Sequence, residues 1–454
     1  MNTKFKNLPS VSQVLSLIPK NLNIHEKFLT VLIREEIEKS RNFLLNDHEK
    51  ISREKILKNI IKNIVMKSDY SLKNIINGTG IVLHTGFGRS PFTGKIFRRI
   101  SRRLDGYVNL EFNLINGKRG DRQDHLRNHI SSICNSESAL VVNNNAAAVL
   151  LSINEIASKG DVIVSRGQLV EIGGSFRIPE IIQKSGSKLK EVGTTNRTHL
   201  SDYSSAITKN TKLLLWVHTS NYVVKGFVKS VPLSELIKLG EQYDIPVMVD
   251  WGSGSFLDMK SLKIADELPI SSIMKLKPDL ITFSGDKLIG GPQSGIIIGN
   301  KKILKRIQSN SLYRVLRCDK ITIAFMEEIL KSFKIDKFSE KNTTLKLLTN
   351  KRSVLRKRGI KVLSLLSQRK INSYRIKLVE SFVQAGSGSL PEKTIESMAL
   401  SFSPKKNNLN NLAKKLRTGK IPVVGYISKN FFYIDLKAIY SHQLIKLVKA
   451  IESL

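Results

Sequence analysis

From about Asn74 the chain repeats one unit: a short apolar run that stops at a small or polar residue, then a stretch with helical spacing. Ala139–Val142 runs into Asn143, Val162–Val164 into Ser165, and Leu213–Val217 into His218. Val247–Val249 likewise runs into Asp250, and Leu280–Phe283 into Ser284. Helix-compatible stretches such as Val149–Ser158 and Leu233–Tyr243 separate most of these runs. That alternation predicts an α/β fold with a mostly parallel sheet under covering helices. Ligands of such sheets gather at the carboxyl ends of the strands. The residues that follow each run are therefore the ones expected to carry chemistry.

The flanks read differently. Between His25 and Asn46, Phe28, Leu32, Ile33, Ile37 and Leu44 recur at near-helical spacing, and Ile56, Ile60, Ile61, Ile64 and Val65 share one side of Ser52–Met66. Lys55, Lys58 and Lys62 fall mostly off that side, either as solvated charge or as a basic face for RNA. After Asp319 the chain turns helical and then mixed, with strands expected at Leu400–Phe402, Val423–Ile427 and Phe431–Leu436. The basic clusters Arg356–Arg358, Arg369–Lys370 and Lys414–Lys415 read as solvated surface. Three domains are expected: helical residues 1–70, an α/β domain over 71–318 and a small α+β domain over 319–454.

Charge and cysteine content narrow the function classes. Seventy-four Lys and Arg against 38 Asp and Glu give a net charge of +36. An excess of that size draws in polyanions and speeds their encounter. No apolar run approaches the roughly 18 residues that a membrane-spanning helix needs, and Met1–Lys20 holds no signal-peptide core. Two cysteines, Cys134 and Cys318, lack metal-type spacing and make no disulfide framework, which fits a reducing cytoplasm.

The most informative strand end is Ser284–Gln293, in which Lys287 follows a strand and precedes a glycine pair. A lysine fixed in a tight turn and partly desolvated suits Schiff-base formation with a flat aldehyde cofactor, and Ser284 is placed to reach a phosphate. Taken alone, such a lysine is in most cases simply part of a surface turn. Asp250, 37 residues earlier at another strand end, is suited to pair with a pyridine nitrogen and keep the ring an electron sink. Its plainer role is to cap a turn. Asn143-Asn144-Asn145-Ala146 leads into an alanine-rich helix whose first amides suit a cofactor phosphate. His218-Thr219-Ser220-Asn221 offers donors for the ring oxygen or the substrate. Each of these last two is equally a strand-end cap. As a set they form a pyridoxal 5'-phosphate pattern of the aspartate-aminotransferase type.

Longer blocks carry a specific resemblance. Asn77–Thr85, Asn143–Val149, Ser165–Pro179, Glu191–Thr198, Val217–Asn221, Asp250–Ser255, Ser284–Gln293, Gly386–Pro391 and Pro422–Gly425 resemble the bacterial selenocysteine synthase family. The resemblance runs from about Lys73 to the C-terminus. It implies a fold-type-I pyridoxal-phosphate domain, a smaller C-terminal domain and an N-terminal domain that recognises the tRNA. It also implies a ring-shaped homodecamer of five dimers, with active sites between the subunits of a dimer.

The implied reaction converts seryl-tRNA(Sec) to selenocysteinyl-tRNA(Sec) with selenophosphate, through elimination of water to an aminoacrylyl ester and then selenium addition. By the same resemblance Lys287 is the Schiff-base lysine and Asp286 belongs to the active site. Arg89, Arg314 and Arg317 line the site for the anionic selenium donor, and Gln168 with its neighbours is a candidate to stack on the ring. Neither a metal, DNA nor a membrane is implied. Two positions depart from the family pattern: Gly86 stands where Asn is usual, and Tyr426 where Arg is common. The rival readings are an enzyme of the same fold acting on a free amino acid or amino sugar, and a non-catalytic RNA-binding protein. The basic N-terminal helices and the three arginines count against the first, and the paired Lys287 and Asp250 against the second.

Overall fold

The computed structural model describes residues 3–19, 22, 24–46, 51–172, 176–219, 222–264, 266–335, 341–386, 394–404 and 408–454. The chain divides into two compact units, Met1–Ile75 and Ile76–Leu454. In the first, helices α1 (Val11–Leu17), α2 (Glu26–Asn46) and α3 (Arg53–Ser68) pack on one another. Ser10 and Ser52 cap α1 and α3 by accepting from the amides of Gln13 and Lys55. The predicted stripes meet as one core of Val14, Ile33, Ile37, Ile56, Ile60 and Ile64, while Phe28 is exposed. Lys55, Lys58 and Lys62 face outward. Glu36 is buried in this bundle with Asn63 and Lys67 on its carboxylate, and these donors hold it below its ordinary range against the opposing effect of burial.

The second unit is built on a seven-stranded sheet. Its strands are β1 (Ser138–Val142), β2 (Asp161–Ser165), β3 (Lys188–Val192), β4 (Thr211–Val217), β5 (Val247–Asp250), β6 (Leu280–Ser284) and β7 (Gly295–Gly299). The order across the sheet is β1-β7-β6-β5-β4-β2-β3. Pairing is parallel from β6 through β3, and β7 runs antiparallel between β6 and β1. Alternate residues feed the two faces. Val141, Ile163, Leu214, Val249 and Ile281 enter one core, and Leu140, Val162, Leu213, Met248 and Leu280 enter the other. Both faces are dry, which is why these strands read as unbroken apolar runs rather than alternating ones. Each such side chain contributes about 1.5–3 kcal/mol of burial. Helix α4 (Asn145–Ala157) starts shortly after the end of β1, and α4 and α5 (Leu233–Tyr243) both cover the sheet.

A second sheet lies toward the C-terminus, with β8 (Lys377–Val383), β9 (Ile395–Phe402), β10 (Tyr426–Ser428) and β11 (Phe431–Asp435) in the antiparallel order β8-β9-β11-β10. The single strand expected over Val423–Ile427 is two. Val423–Val424 pairs in parallel with Ile76–Asn77, whereas Tyr426 onward pairs with β11. The break falls at Gly425, where a side chain would meet the Tyr433 carbonyl at 2.1 Å and the Phe432 ring at 2.7 Å. Among the described residues no helix is long and apolar enough to cross a membrane.

Candidate active site

The ends of the central strands bring the chemistry together. Asp250 closes β5 between Val217 of β4 and Thr282 of β6, and is 4% exposed. Burial pushes its carboxyl above the usual carboxylate range. Three groups oppose that rise: Asn145, whose Nδ2 donates to Oδ1 at 2.9 Å, the charge of Lys287, and Thr282, whose hydroxyl lies 3.3 Å from Oδ1. Lys287, in the turn that follows β6, is 6% exposed. Burial and the neighbouring Arg89 push its amine below the usual lysine range, against the pull of Asp250, Asp286 and Glu267. The turn needs glycine at Gly290, whose φ is +75° and where a side chain would meet the Asn342 side-chain amide.

Gly252 leaves the space that joins these groups. A side-chain carbon there would stand 3.9 Å from each of Asn145 Nδ2, Asp250 Oδ1 and Lys287 Nζ. Amine, carboxylate and amide therefore converge on the space in front of Gly252, which any side chain there would begin to fill. Asn144 caps α4 by accepting from the Ala147 amide at 2.9 Å. The amides of Asn145 and Ala146, in the first turn, have no acceptor within the helix and suit a phosphate. Ser284, buried at the end of β6, pairs with Gly295, and the Asn144–Asn145 peptide packs against Gly295. Among the described residues no cluster of three or more His, Cys, Asp or Glu suits a metal.

His218 follows β4, and its ring lies on that of Trp251 at 4.0 Å with 3° between planes. Burial and the charge of Lys287 push the imidazole down to about 4, so it is neutral at physiological pH. Gln168 is buried and its Oε1 accepts from the Val217 amide at 3.0 Å, which ties the end of β2 to that of β4. Ser220 lies outside the described residues. Glu267, which sequence reasoning missed, is 1% exposed, and its Oε1 accepts from Trp251 Nε1 at 2.6 Å and from the Ser253 hydroxyl. That oxygen stands 4.0 Å from His218 Nδ1. Burial raises the Glu267 carboxyl against the pull of these two donors and of Lys287. No signal in the stretch Asp266–Leu268 marks it out, because its neighbours are those of an ordinary polar loop.

The arginines fall at two places. Arg89, in the left-handed region at φ 57°, donates to Asp286 at 3.0 Å beside Lys287, and the Ser90 hydroxyl donates to the Asp286 carbonyl at 2.7 Å. Arg317 instead bridges Val142 at the end of β1 and pairs with Glu111 at 3.2 Å, three residues from exposed Arg314. Gly86 sits in the turn Thr85–Phe87, where a side chain would meet the His84 ring at 3.3 Å. Tyr426 stacks on its cross-strand partner Tyr433 at 5.2 Å.

Residues 75–440 match the family model described as L-seryl-tRNA selenium transferase. The chain is 39% identical to the L-seryl-tRNA(Sec) selenium transferase of Caldanaerobacter subterraneus subsp. tengcongensis, covering 100% of this chain and 99% of that protein. It is 37% identical to the Aquifex aeolicus protein of the same name, again over 100% and 99%. Among solved structures it is similar to a D-glucosaminate-6-phosphate ammonia-lyase, with TM-score 0.60 and 17% identity over 84% of this chain and 95% of that one. The fold expected from the strand pattern is the one observed. Sequence match over the whole length, on that fold, assigns the chain to the L-seryl-tRNA selenium transferase family.

Proposed function

We propose that this chain converts L-seryl-tRNA(Sec) to L-selenocysteinyl-tRNA(Sec), exchanging the β-hydroxyl of serine for selenium delivered as selenophosphate. The observation that carries the reading is the convergence of Lys287 Nζ, Asp250 Oδ1 and Asn145 Nδ2 around Gly252 in a chain of this family. The residues present fit pyridoxal phosphate: Lys287 for its aldehyde, Asp250 for its ring nitrogen, and Ser284 with the Asn144–Ala146 helix start for its phosphate. His218, Gln168 and Ser220 are the remaining candidates to line it. When bound, the cofactor supplies an electron sink that lets the α-proton and then the β-hydroxyl of serine leave.

The chain's own groups do the rest. Burial keeps a useful fraction of the Lys287 amine neutral, so Nζ can take the α-proton. Asn145 and Thr282 hold the Asp250 carboxylate in one orientation against the cost of burial. Planar guanidinium groups suit a small multiply charged donor better than ammonium does. Arg89, Arg314 and Arg317 are assigned that role, with Asp286 orienting Arg89. The reading extends to a homodecamer of five dimers with active sites between dimer subunits, acting in the cytoplasm. It takes residues 1–70 as the tRNA-recognition domain, 71–318 as the cofactor domain and 319–454 as the small domain. The charge of +36 supports a polyanionic substrate.

The test is conversion of seryl-tRNA(Sec) with selenophosphate by the purified protein. Wild type should show visible absorbance that borohydride bleaches, and Lys287→Ala should lose both absorbance and turnover. A colourless protein would favour the binding-protein rival, and turnover of free serine without tRNA would favour the free-amino-acid rival.

A further inference from the structure

A cavity lies apart from the active-site residues. It is a cleft of about 740 Å³ between the helix Gly94–Arg103, the helix Thr343–Leu348 with its flanks, and the segment Tyr440–His442. Lys95, Arg98, Arg99, Lys341, Lys346 and Arg358 line it, and no Asp or Glu is among its lining residues. Arg99 is engaged by Glu328 at 2.5 Å, and Arg358 is partly buried and donates to the Ile439 carbonyl at 3.1 Å. Arg358 thus departs from the solvated surface expected for its cluster. Among the described residues no ion pair engages Lys95, Arg98, Lys341 or Lys346, and all four are exposed. Four uncommitted cations in a concave wall without a carboxylate focus positive potential into the cleft.

The segment Tyr440–His442 gives the cleft an aromatic face. Tyr440 and His442 stack at 5.2 Å with 21° between planes. The Tyr440 hydroxyl and the Asn350 side-chain amide, both lining residues, are buried without a hydrogen-bond partner among the described residues. Cations along a groove beside a flat aromatic pair suit unpaired nucleotides, whose phosphates take the charge and whose bases offer a face for stacking. A double helix has no free base face to offer.

Both long walls are tied to the Lys287 turn. Ser90, three residues before Thr93, donates to the Asp286 carbonyl at 2.7 Å, and Asn342, between Lys341 and Thr343, donates to the Ile289 carbonyl at 2.8 Å. We infer that this cleft holds the single-stranded, serine-bearing 3' end of the RNA substrate and leads the ester toward Lys287. The inference rests on the function proposed above. Lys95, Arg98, Lys341 and Lys346 would neutralise successive phosphates, and Tyr440 with His442 would take a base.

The test uses the full-length enzyme, with steady-state kinetics on seryl-tRNA(Sec) at several salt concentrations. The triple variant Lys95→Ala/Arg98→Ala/Lys346→Ala should raise KM about ten-fold or more with kcat nearly unchanged, and flatten the salt slope of log(1/KM) by roughly 2, the loss expected for three phosphate contacts on a single strand. Tyr440→Ala should raise KM while Tyr440→Phe, which keeps the ring, should not. The pair Lys414→Ala/Lys415→Ala, exposed and outside the cleft, should match wild type. A triple variant with wild-type KM and salt slope would overturn the inference, as would an equal effect from the control pair. Both outcomes leave wild-type turnover and cofactor absorbance intact, whereas failure of the proposed function would remove these from wild type itself.

Discussion

Asn145 and Asp250 stand 105 residues apart in sequence, and the side-chain amide of the first donates to the carboxylate of the second at 2.9 Å. The contact joins the start of α4 to the end of β5, so the helix start assigned to a phosphate also steadies the group assigned to the ring nitrogen. Asp250 is pushed up by burial and pulled back by Asn145. Removing the donor in Asn145→Ala therefore lets its pKa climb. Since Asp250 must be ionised to do its work, the acid limb of kcat/KM should move to higher pH, by about one unit for a hydrogen bond to a charged group. An unmoved acid limb would show that Asn145 does not tune Asp250.

The neighbours of Lys287 pull in opposite directions. Arg89 lowers its amine and Asp286 raises it, while the two are hydrogen-bonded to each other. In the cofactor-free protein, labelling of Lys287 by an amine-reactive reagent should follow its neutral fraction. Asp286→Asn should shift that labelling curve to lower pH, because the charge of Arg89 is left unopposed. Arg89→Met should shift it to higher pH. Peptide mapping of Lys287 reads both, and shifts of the same sign would sink the electrostatic account.

Burial explains which parts of this structure were readable in the sequence. The strands β1, β2, β4, β5 and β6 are covered on both faces, so each announces itself as an apolar run. Edge strand β3 escaped notice because its residues Lys188–Glu191 are charged or half-exposed and only Val192 is buried. Asp250 was legible because it directly follows such a run, and Lys287 because it sits in the glycine-flanked turn after another. Glu267 was not, because what makes it unusual is Trp251 and Ser253 closing over it from another segment. The division of Val423–Ile427 was equally hidden, since it depends on Tyr433 and Phe432 crowding Gly425.

Glu267 offers a stability test of that hidden contact. Its Oε1 is the acceptor for two buried donors, Trp251 Nε1 and the Ser253 hydroxyl. Glu267→Ala strands both, at about 1–3 kcal/mol for each unsatisfied group. Glu267→Gln retains an acceptor of the same shape and should cost far less. Urea midpoints of the two variants, measured without cofactor, should differ in that order. Equal destabilisation would mean that packing volume rather than hydrogen bonding holds the Trp251 segment.

His218 should make the fold acid-sensitive in a defined window. Its imidazole titrates at about 4 when folded and near the ordinary 6.5 when unfolded, because burial and the charge of Lys287 disfavour the cation. Between those values the unfolded chain binds the extra proton and the folded one does not. Stability from the neutral ring is therefore complete above 6.5 and drains away as pH falls toward 4. With 22% of the side chain still exposed, the loss at pH 5 is about 1–2 kcal/mol. His218→Gln has no such proton to gain, so its stability relative to wild type should improve by that amount between pH 7 and pH 5. Chemical denaturation of both proteins at the two pH values measures the difference directly. A constant difference would mean that the imidazole is not held neutral by its surroundings, and the stacking on Trp251 would then have to be accounted for with a charged ring.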